Sequence, residues 1–160
     1  LHFPHSEINF YSCETQIHQG KPNDYFQFPT DILNKKFDGE LALSKLQQYF
    51  AEENIGNALM EKSVFVGMGD LIRTEALYRA KIHPNSLVNN IPEKKLIFLI
   101  ISAVNFADEL VEHFKNDEVN SKALIFEKKM CPKDKSEIQI AISTETNRKI
   151  YICPKCQKLF

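Results

Sequence analysis

The chain has 160 residues, of which 43% are apolar, so it can bury one hydrophobic core and a small additional module. Its longest apolar stretch, residues 96–104, is interrupted by Ser102 and falls short of the ~20 apolar residues that a membrane-spanning helix needs. The first ten residues contain histidines, a proline and a glutamate in place of an apolar signal-peptide core. We therefore expect an intracellular protein (nuclear, cytoplasmic or viral) rather than a secreted or membrane protein, and we expect it to be a monomer.

The formal net charge of −1 conceals an uneven distribution of charge along the chain. Residues 1–127 carry 12 Lys/Arg against 18 Asp/Glu, whereas residues 128–160 carry 8 against 3. A basic segment on an acidic body is typical of a local surface for a polyanion such as nucleic acid. The alternative is a solvated lysine-rich terminus, and charge alone favours that alternative.

Residues 1–30 have the pattern of β-structure or loop, with a short alternation over residues 5–11 and a turn cluster at residues 20–24. Thirty residues are too few to close a sheet alone. We therefore interpret them as the end of a β domain whose beginning lies outside this sequence.

Residues 31–123 have helical patterns and are predicted to form one domain. Asp38 can cap a helix that runs to about residue 53, and a short helix is expected near residues 57–62. A third helix is predicted over residues 70–80, with Asp70 as a capping residue and His83-Pro84 as its stop.

The strongest helical pattern covers residues 92–115, with Pro92 at its first position. Its apolar side chains recur at intervals of three and four residues, and charged residues fill the remaining surface. Such a stripe is typical of core packing. The predicted core positions are Leu96, Leu99, Ile100, Ala103, Ala107, Leu110, Val111 and Phe114.

Residues 124–160 change to short strand patterns. We predict strands at residues 123–126, 137–143 and 149–153, with a tight turn at residues 144–148. The predicted fold class is therefore mainly α with a small β part, in which a helical domain precedes a β-hairpin.

Three cysteines lie in this last segment. Cys153 and Cys156 form a C-P-x-C knuckle, whose two thiolates can face one tetrahedral centre, and Cys131 lies where an opposing knuckle of a zinc ribbon belongs. The alternative is a reduced C-x-x-C with an unrelated cysteine, but the strands between the cysteines favour one structural zinc ion. Asp134 occupies the place of a fourth cysteine, so the fourth ligand is Asp134, a distant histidine or a residue outside this sequence.

A second candidate site is formed by Gly67, Met68, Gly69 and Asp70 before the third helix. Glycines permit positive φ and a close backbone approach, and a helix N-terminus offers unpaired amides to a phosphate. Taken alone, such a turn is more often only a tight connection.

These segments together resemble the formamidopyrimidine-DNA glycosylase / endonuclease VIII family, and the endonuclease VIII-like branch most of all. In that family G-x-G-N precedes a helix with E-x-L-[WYF]-x-A-x-I-H-P, which residues 67–70 and 75–84 match except at Asp70. Residues 147–157, NRKIYICPKCQ, are similar to the family's G-R-x-T-x-[FY]-C-P-x-C-Q. The resemblance covers about residues 29–160.

The resemblance implies a helix–two-turn–helix domain followed by a zinc ribbon, in a base-excision-repair glycosylase and AP lyase that acts on oxidised bases. It implies that the residue 67–70 turn and Arg148 bind phosphates of damaged DNA, double- or single-stranded, around an extruded nucleotide. Family members have Asn in place of Asp70, and a carboxylate cannot donate to a phosphate.

The family's nucleophile is the amine of an N-terminal Pro followed by Glu. This sequence begins Leu-His-Phe-Pro, so we expect no catalytic residue within it and expect it to bind DNA without cutting it. Two alternatives are a non-catalytic zinc-ribbon module that binds nucleic acid and a zinc-ribbon interaction protein without a nucleic-acid role.

Overall fold

The computed structural model describes residues 2–11, 17, 19–21, 28–114, 122–143 and 147–160. Within these residues the fold is mainly helical with two small antiparallel sheets. The elements are β1 (His2–Phe3), β2 (Ser6–Glu7), α1 (Gly39–Tyr49), α2 (Ile55–Ala58), α3 (Asp70–Ala80), a 3-10 turn (Val88–Asn90), α4 (Glu93–Phe114), β3 (Gln139–Ile142) and β4 (Lys149–Ile152). No helix in this described part is both long and apolar enough to cross a membrane.

The main core lies where α4 packs against α3 and α1. The apolar stripe of α4 faces this core as its spacing predicts, because residues three and four apart share one helix face. Val111 is an exception, since its side chain is 38% exposed. The buried residues of the stripe are Leu96, Leu99, Ile100, Ala103, Ala107 and Leu110. We call residues 28–114 the helical body.

Helix α1 begins as predicted, because the Asp38 side chain accepts a hydrogen bond from the N–H of Leu41 at 2.9 Å. The helix ends at Tyr49, earlier than residue 53, since Phe50 has left the helical conformation. Helix α2 likewise starts at Ile55, two residues before the predicted position.

A second, smaller core lies under the hairpin of β3 and β4, which pair in antiparallel register from Gln139–Ile152 to Ile142–Lys149. We call residues 122–143 and 147–160 the hairpin segment. The hairpin packs through β4, so all four residues of β3 are exposed. The buried members of the small core are Tyr78, Ile125, Cys131, Ile138, Tyr151 and Cys153.

The strand predicted at residues 123–126 is not formed. The amides of Ile125 and Phe126 donate instead to Oε1 of Glu75 on α3, each at 2.9 Å. An oxygen of the buried Glu75 carboxylate thus accepts the hydrogen bonds that the carbonyl groups of a neighbouring strand would otherwise accept. Because Glu75 and Tyr78 both face the hairpin segment, α3 belongs to both cores.

The hairpin segment returns to the helical body at residues 158–160. Lys158 forms an isolated parallel bridge with Ile82, and its carbonyl accepts from the N–H of His83 at 2.8 Å. The N–H of Phe160 donates to Oγ of Ser86 at 3.1 Å. The hairpin segment is therefore anchored to the body on both sides of the small core.

Near the N-terminus, β1 and β2 pair as a short hairpin with two residues in each strand. Residues 8–11 are exposed and do not form a strand. Residues 1, 12–16, 18 and 22–27 of the predicted β remnant lie outside the described residues. The division into residues 1–30, 31–123 and 124–160 remains a prediction. Thr30, the last residue of the predicted remnant, is part of the helical body in the structure, because its carbonyl accepts from the N–H of Val66 at 3.1 Å.

Candidate nucleic-acid interface

Residues 67–70 form a turn between an extended segment and α3. Val66 forms a parallel bridge with Asp31, and Gly67 then turns the chain with φ of +83°. A Cβ on Gly67 would lie 3.2 Å from Cγ1 of Ile32. The left-handed conformation and the close neighbour both require glycine at this position, as the sequence suggested.

Gly69 is different, because the fold does not require a glycine there. It is the N-cap of α3 with φ of −112°, a conformation open to any residue, and an added Cβ would meet no atom within 4 Å. Of the two properties that the sequence analysis attributed to these glycines, Gly69 does not use positive φ, and the free space at its Cβ position leaves room for a close backbone approach. Its missing side chain leaves open space in front of the helix N-terminus.

The turn presents backbone amides to this space. In the part of the chain that the structure describes, the N–H groups of residues 68–72 donate to no protein acceptor. Met68 contributes only its backbone, since its side chain is buried in the main core. Free amides at the positive end of a helix dipole form a surface that favours anions.

Asp70 is the first residue of α3 rather than its cap, and no side-chain capping bond is made at this end. The prediction that Asp70 caps the helix is therefore wrong. Its carboxylate contacts two arginines instead. Oδ2 accepts from Nη1 of Arg148 at 2.9 Å, and Oδ1 lies 2.9 Å from Nη2 of Arg73 as an ion pair without hydrogen-bond alignment.

Arg73 is a fully buried residue that the sequence reasoning missed. Nη2 donates to the carbonyl of Lys149 in β4 at 3.0 Å, and Nη1 to the carbonyl of Gly56 in α2 at 3.4 Å. Burial lowers the pKa of Arg73, while the charge of Asp70 acts in the opposite direction. Its spacing of three residues from Asp70 on one helix was the only local signal for this pair.

Arg148 immediately precedes β4 and follows Asn147, which has a left-handed φ of 52°. Its side chain is 51% exposed, so part of the guanidinium faces solvent beside Asp70. The structure thus brings the residue 67–70 turn and Arg148, predicted from separate motifs, to one face of the molecule.

The three predicted metal-binding cysteines also meet, and Asp134 joins them. One potential ligand atom from each of Cys131, Asp134, Cys153 and Cys156 lies within 4.8 Å of the others. Sγ of Cys131 and Sγ of Cys156 are 3.8 Å apart, and Oδ2 of Asp134 lies 3.0 Å from Sγ of Cys156 and 3.3 Å from Sγ of Cys153. Asp134 is therefore the candidate that the structure favours for the fourth ligand.

This cluster fits a tetrahedral cation. Thiolates ~2.3 Å from a tetrahedral zinc ion lie roughly 3.8 Å from each other, close to the observed spacing of Cys131 and Cys156. Burial, followed by the hydrogen bonds with Asp134 and the neighbouring cysteines, raises the pKa of Cys156 to about 12, so a thiolate at this position requires a positive counter-charge. A divalent cation would supply that charge, so the four residues could hold a metal.

The cluster is connected to α3 and to the segment after it. Oε1 of Gln157 accepts from the N–H of Cys153 at 2.8 Å, while its Nε2 donates to the carbonyl of Ile82 at 2.9 Å. The hydroxyl of Tyr78 lies 3.3 Å from Sγ of Cys131. The candidate metal ligands are therefore linked by hydrogen bonds to the helix that carries the residue 67–70 turn and to the segment after it.

Comparison with known families identifies this architecture. Residues 29–123 match the family model "Formamidopyrimidine-DNA glycosylase H2TH domain", which is more than half of the chain. The chain belongs to this family, and the resemblance found in its motifs is confirmed.

Two curated relatives illustrate the similarity. The chain is 30% identical over 151 residues to "Endonuclease 8-like 2" of Mus musculus, covering 92% of this chain and 44% of the relative. It is 31% identical over 134 residues to "Endonuclease 8-like L720" of Acanthamoeba polyphaga mimivirus, covering 79% of this chain and 48% of that protein. The chain thus spans less than half the length of these relatives.

Solved structures share the fold. A viral DNA glycosylase superposes with a TM-score of 0.72 at 29% identity, covering 82% of this chain and 50% of that one. The Lactococcus lactis formamidopyrimidine-DNA glycosylase, bound non-covalently to DNA containing an AP site, also gives 0.72, at 24% identity over 81% of this chain and 49% of that one. Because its identity is below 25%, the similarity to the Lactococcus lactis protein shows a shared fold alone.

Proposed function

We propose that this chain is the DNA-binding part of a base-excision-repair DNA glycosylase and AP lyase that acts on oxidised bases. The observation that carries the proposal is the 2.9 Å contact between Arg148 and Asp70, since it joins the helix N-terminus and the hairpin arginine in one surface. Membership of the glycosylase family supports it independently.

In this proposal the surface holds the sugar–phosphate backbone around an extruded nucleotide. The free amides of residues 68–72 bind one phosphate, and the open space at Gly69 lets that phosphate approach the backbone closely. Arg148 contacts the same strand through its permanently charged, planar guanidinium. Several fixed phosphates together offset the free energy that unstacking a base requires.

Zinc is the proposed metal at Cys131, Asp134, Cys153 and Cys156. A zinc ion with four protein ligands has no open position and stabilises the fold rather than carrying chemistry. Here it would fix the two ends of the hairpin segment against each other, because the small core contains few apolar side chains. The hairpin that carries Arg148 would depend on it.

Glycosidic-bond cleavage is assigned in this proposal to a longer protein of which this chain is a part. The supporting fact is that the relatives are about twice as long as the segment that matches. The chain by itself is proposed to bind DNA containing a lesion or an abasic site without cutting it. Borohydride trapping of a covalent DNA adduct by the longer protein, but not by this chain, is the expected result.

Binding of the zinc-loaded chain to a duplex with an abasic-site analogue tests the proposal. About three phosphate contacts predict that log K falls with log salt with a slope of about −3. Arg148→Ala should weaken binding about tenfold or more, because a charge-assisted contact is lost. Lys129→Ala removes the same charge from an exposed position of the hairpin segment and should have a much smaller effect.

A slope near zero would contradict DNA binding by this surface. Equal losses for Arg148→Ala and Lys129→Ala would mean that only the overall positive charge of the hairpin segment attracts DNA. In that case the assignment of Arg148 would be wrong.

A further inference from the structure

The proposed phosphate site already contains an anion, which is the carboxylate of Asp70. This carboxylate lies at the first position of α3, beside the free amides, and it contacts guanidinium groups with both oxygens. Carboxylate and phosphate are the two anions that the planar fork of arginine recognises in the same manner. Asp70 therefore occupies the partner position that a DNA phosphate would take at Arg148.

The two contacts of Asp70 differ in how easily they can be broken. Arg73 is fully buried and is held on its other side by the carbonyls of Lys149 and Gly56. Separating Asp70 from Arg73 would leave a buried charge without its counter-ion, which is strongly unfavourable. Arg148 is half exposed and, among the described residues, makes one side-chain hydrogen bond, through Nη1, so exchanging this partner costs little.

We infer that Asp70 is an internal competitor of DNA for Arg148, and that a phosphate must displace it while Asp70 stays paired with Arg73. This inference rests on the proposed function. It makes Asp70 a residue that lowers the affinity of the site rather than one that grips the strand. The contact with Asp70 also makes the affinity for DNA depend less steeply on salt concentration, since Arg148 is already neutralised in the free protein.

Equilibrium binding of the zinc-loaded chain to the abasic-analogue duplex, over a series of salt concentrations, tests the inference. Asp70→Asn keeps the shape of the side chain but removes the charge that competes for Arg148. Because it also removes the counter-ion of the buried Arg73, thermal unfolding is measured first to show that the variant is folded. We expect affinity to rise about three- to tenfold and the salt slope to steepen by about 0.9. In the Arg148→Ala background the same substitution should give a clearly smaller gain, because no arginine is left to release and only the new amide donor and the lost repulsion act. An equal gain in this background would overturn the inference.

Asp31→Asn is the matched control for charge alone. Asp31 lies beside the same turn, where its Oδ1 would be 3.6 Å from a Cβ on Gly67, but its carboxylate accepts from the N–H of Leu33 rather than from an arginine. We expect a change of less than about twofold. A gain equal to that of Asp70→Asn would overturn the inference in favour of general repulsion.

Loss of affinity in a folded Asp70→Asn variant would also overturn it, because Asp70 would then position Arg148 for binding. Asp70→Ser provides a second neutral variant if the first fails to fold. In the unsubstituted ¹⁵N-labelled chain, DNA should shift the guanidinium resonance of Arg148 and leave that of Arg73 in place. The absence of any shift at Arg148 would contradict the inference without a substitution.

The two hypotheses fail in different ways. If neither the unsubstituted chain nor Asp70→Asn binds the duplex, the proposed function itself is wrong. If both bind, with a salt-dependent affinity that Arg148→Ala weakens, but Asp70→Asn gives no gain, only the role of Asp70 is wrong.

Discussion

Gly67 and Gly69 are two residues apart, and the absence of a Cβ atom has a different consequence at each position. Gly67 satisfies the backbone, since its φ is +83° and Ile32 is close to the site of a Cβ. The folded chain does not require glycine at position 69, because any residue can adopt its backbone conformation and an added Cβ would meet no atom within 4 Å. The proposed phosphate site depends on the open space at Gly69.

Alanine substitutions at the two glycines should therefore separate stability from binding. Gly67→Ala should destabilise the chain by about 1–2 kcal/mol, because a left-handed conformation is unfavourable for alanine. Gly69→Ala should change stability by only about 0.5 kcal/mol but weaken binding of abasic-analogue DNA about tenfold, because a methyl group would occupy the proposed phosphate position. Thermal unfolding and fluorescence anisotropy measure the two effects. If Gly69→Ala binds the DNA as tightly as the unsubstituted chain does, the proposed position of the phosphate at Gly69 is wrong.

At the scale of the element, α3 shows what a sequence pattern can and cannot predict. Its bounds, Asp70–Ala80, were predicted because glycines precede the helix and a His-Pro stop follows it. One buried face was predicted for this helix, but not the burial of every residue from 73 to 78, including Arg73 and Glu75. A helix packed between α4 and a hairpin has little exposed surface along its middle, and periodicity alone cannot reveal a second neighbour.

In the hairpin segment, too, some features could be predicted from the sequence and others could not. The C-P-x-C knuckle and Cys131 were found from spacing, because cysteine is rare enough for its spacing to carry information. Asp134 stayed one of several choices, since aspartates are common in surface turns. Only the folded chain places Oδ2 of Asp134 within 3.3 Å of two sulfur atoms.

Removal of the metal should unfold the hairpin segment before the helical body. One zinc ion per chain is expected, and chelation should reduce DNA affinity because the position of Arg148 depends on the hairpin. Asp134→Ala should weaken zinc binding, whereas Asp134→Cys restores a fourth soft ligand and should retain it. Competition with a chromophoric chelator measures both affinities. Equal zinc affinity for Asp134→Ala and the unsubstituted chain would exclude Asp134 as a ligand.

At the scale of the whole molecule, buried charged groups connect two parts that the sequence treats as separate. Arg73 joins α3 to Lys149, and Glu75 joins it to residues 125 and 126. These contacts span 50 or more positions along the chain, so no local pattern predicts them. These hydrogen bonds connect the segment that carries the candidate metal site with the helix that carries the residue 67–70 turn, as the proposed binding of a kinked strand would require.

Substitution of Glu75 should test this connection. Glu75→Ala leaves two buried amides without an acceptor and should cost about 2–4 kcal/mol of unfolding free energy. Glu75→Gln retains one acceptor oxygen for both amides and should cost markedly less. Chemical denaturation followed by circular dichroism gives both values. Equal destabilisation by the two variants would mean that the negative charge, rather than the acceptor, holds the hairpin segment in place.

The contact of Tyr78 with Cys131 has a practical consequence for observing this protein. The chain contains no tryptophan, so its ultraviolet emission comes from five tyrosines. One of these has its hydroxyl 3.3 Å from a sulfur atom of the metal-binding cluster, and Tyr151 lies in the same small core. If the cluster binds a metal, we expect intrinsic tyrosine fluorescence to change with its occupancy, so that binding can be followed without an attached dye.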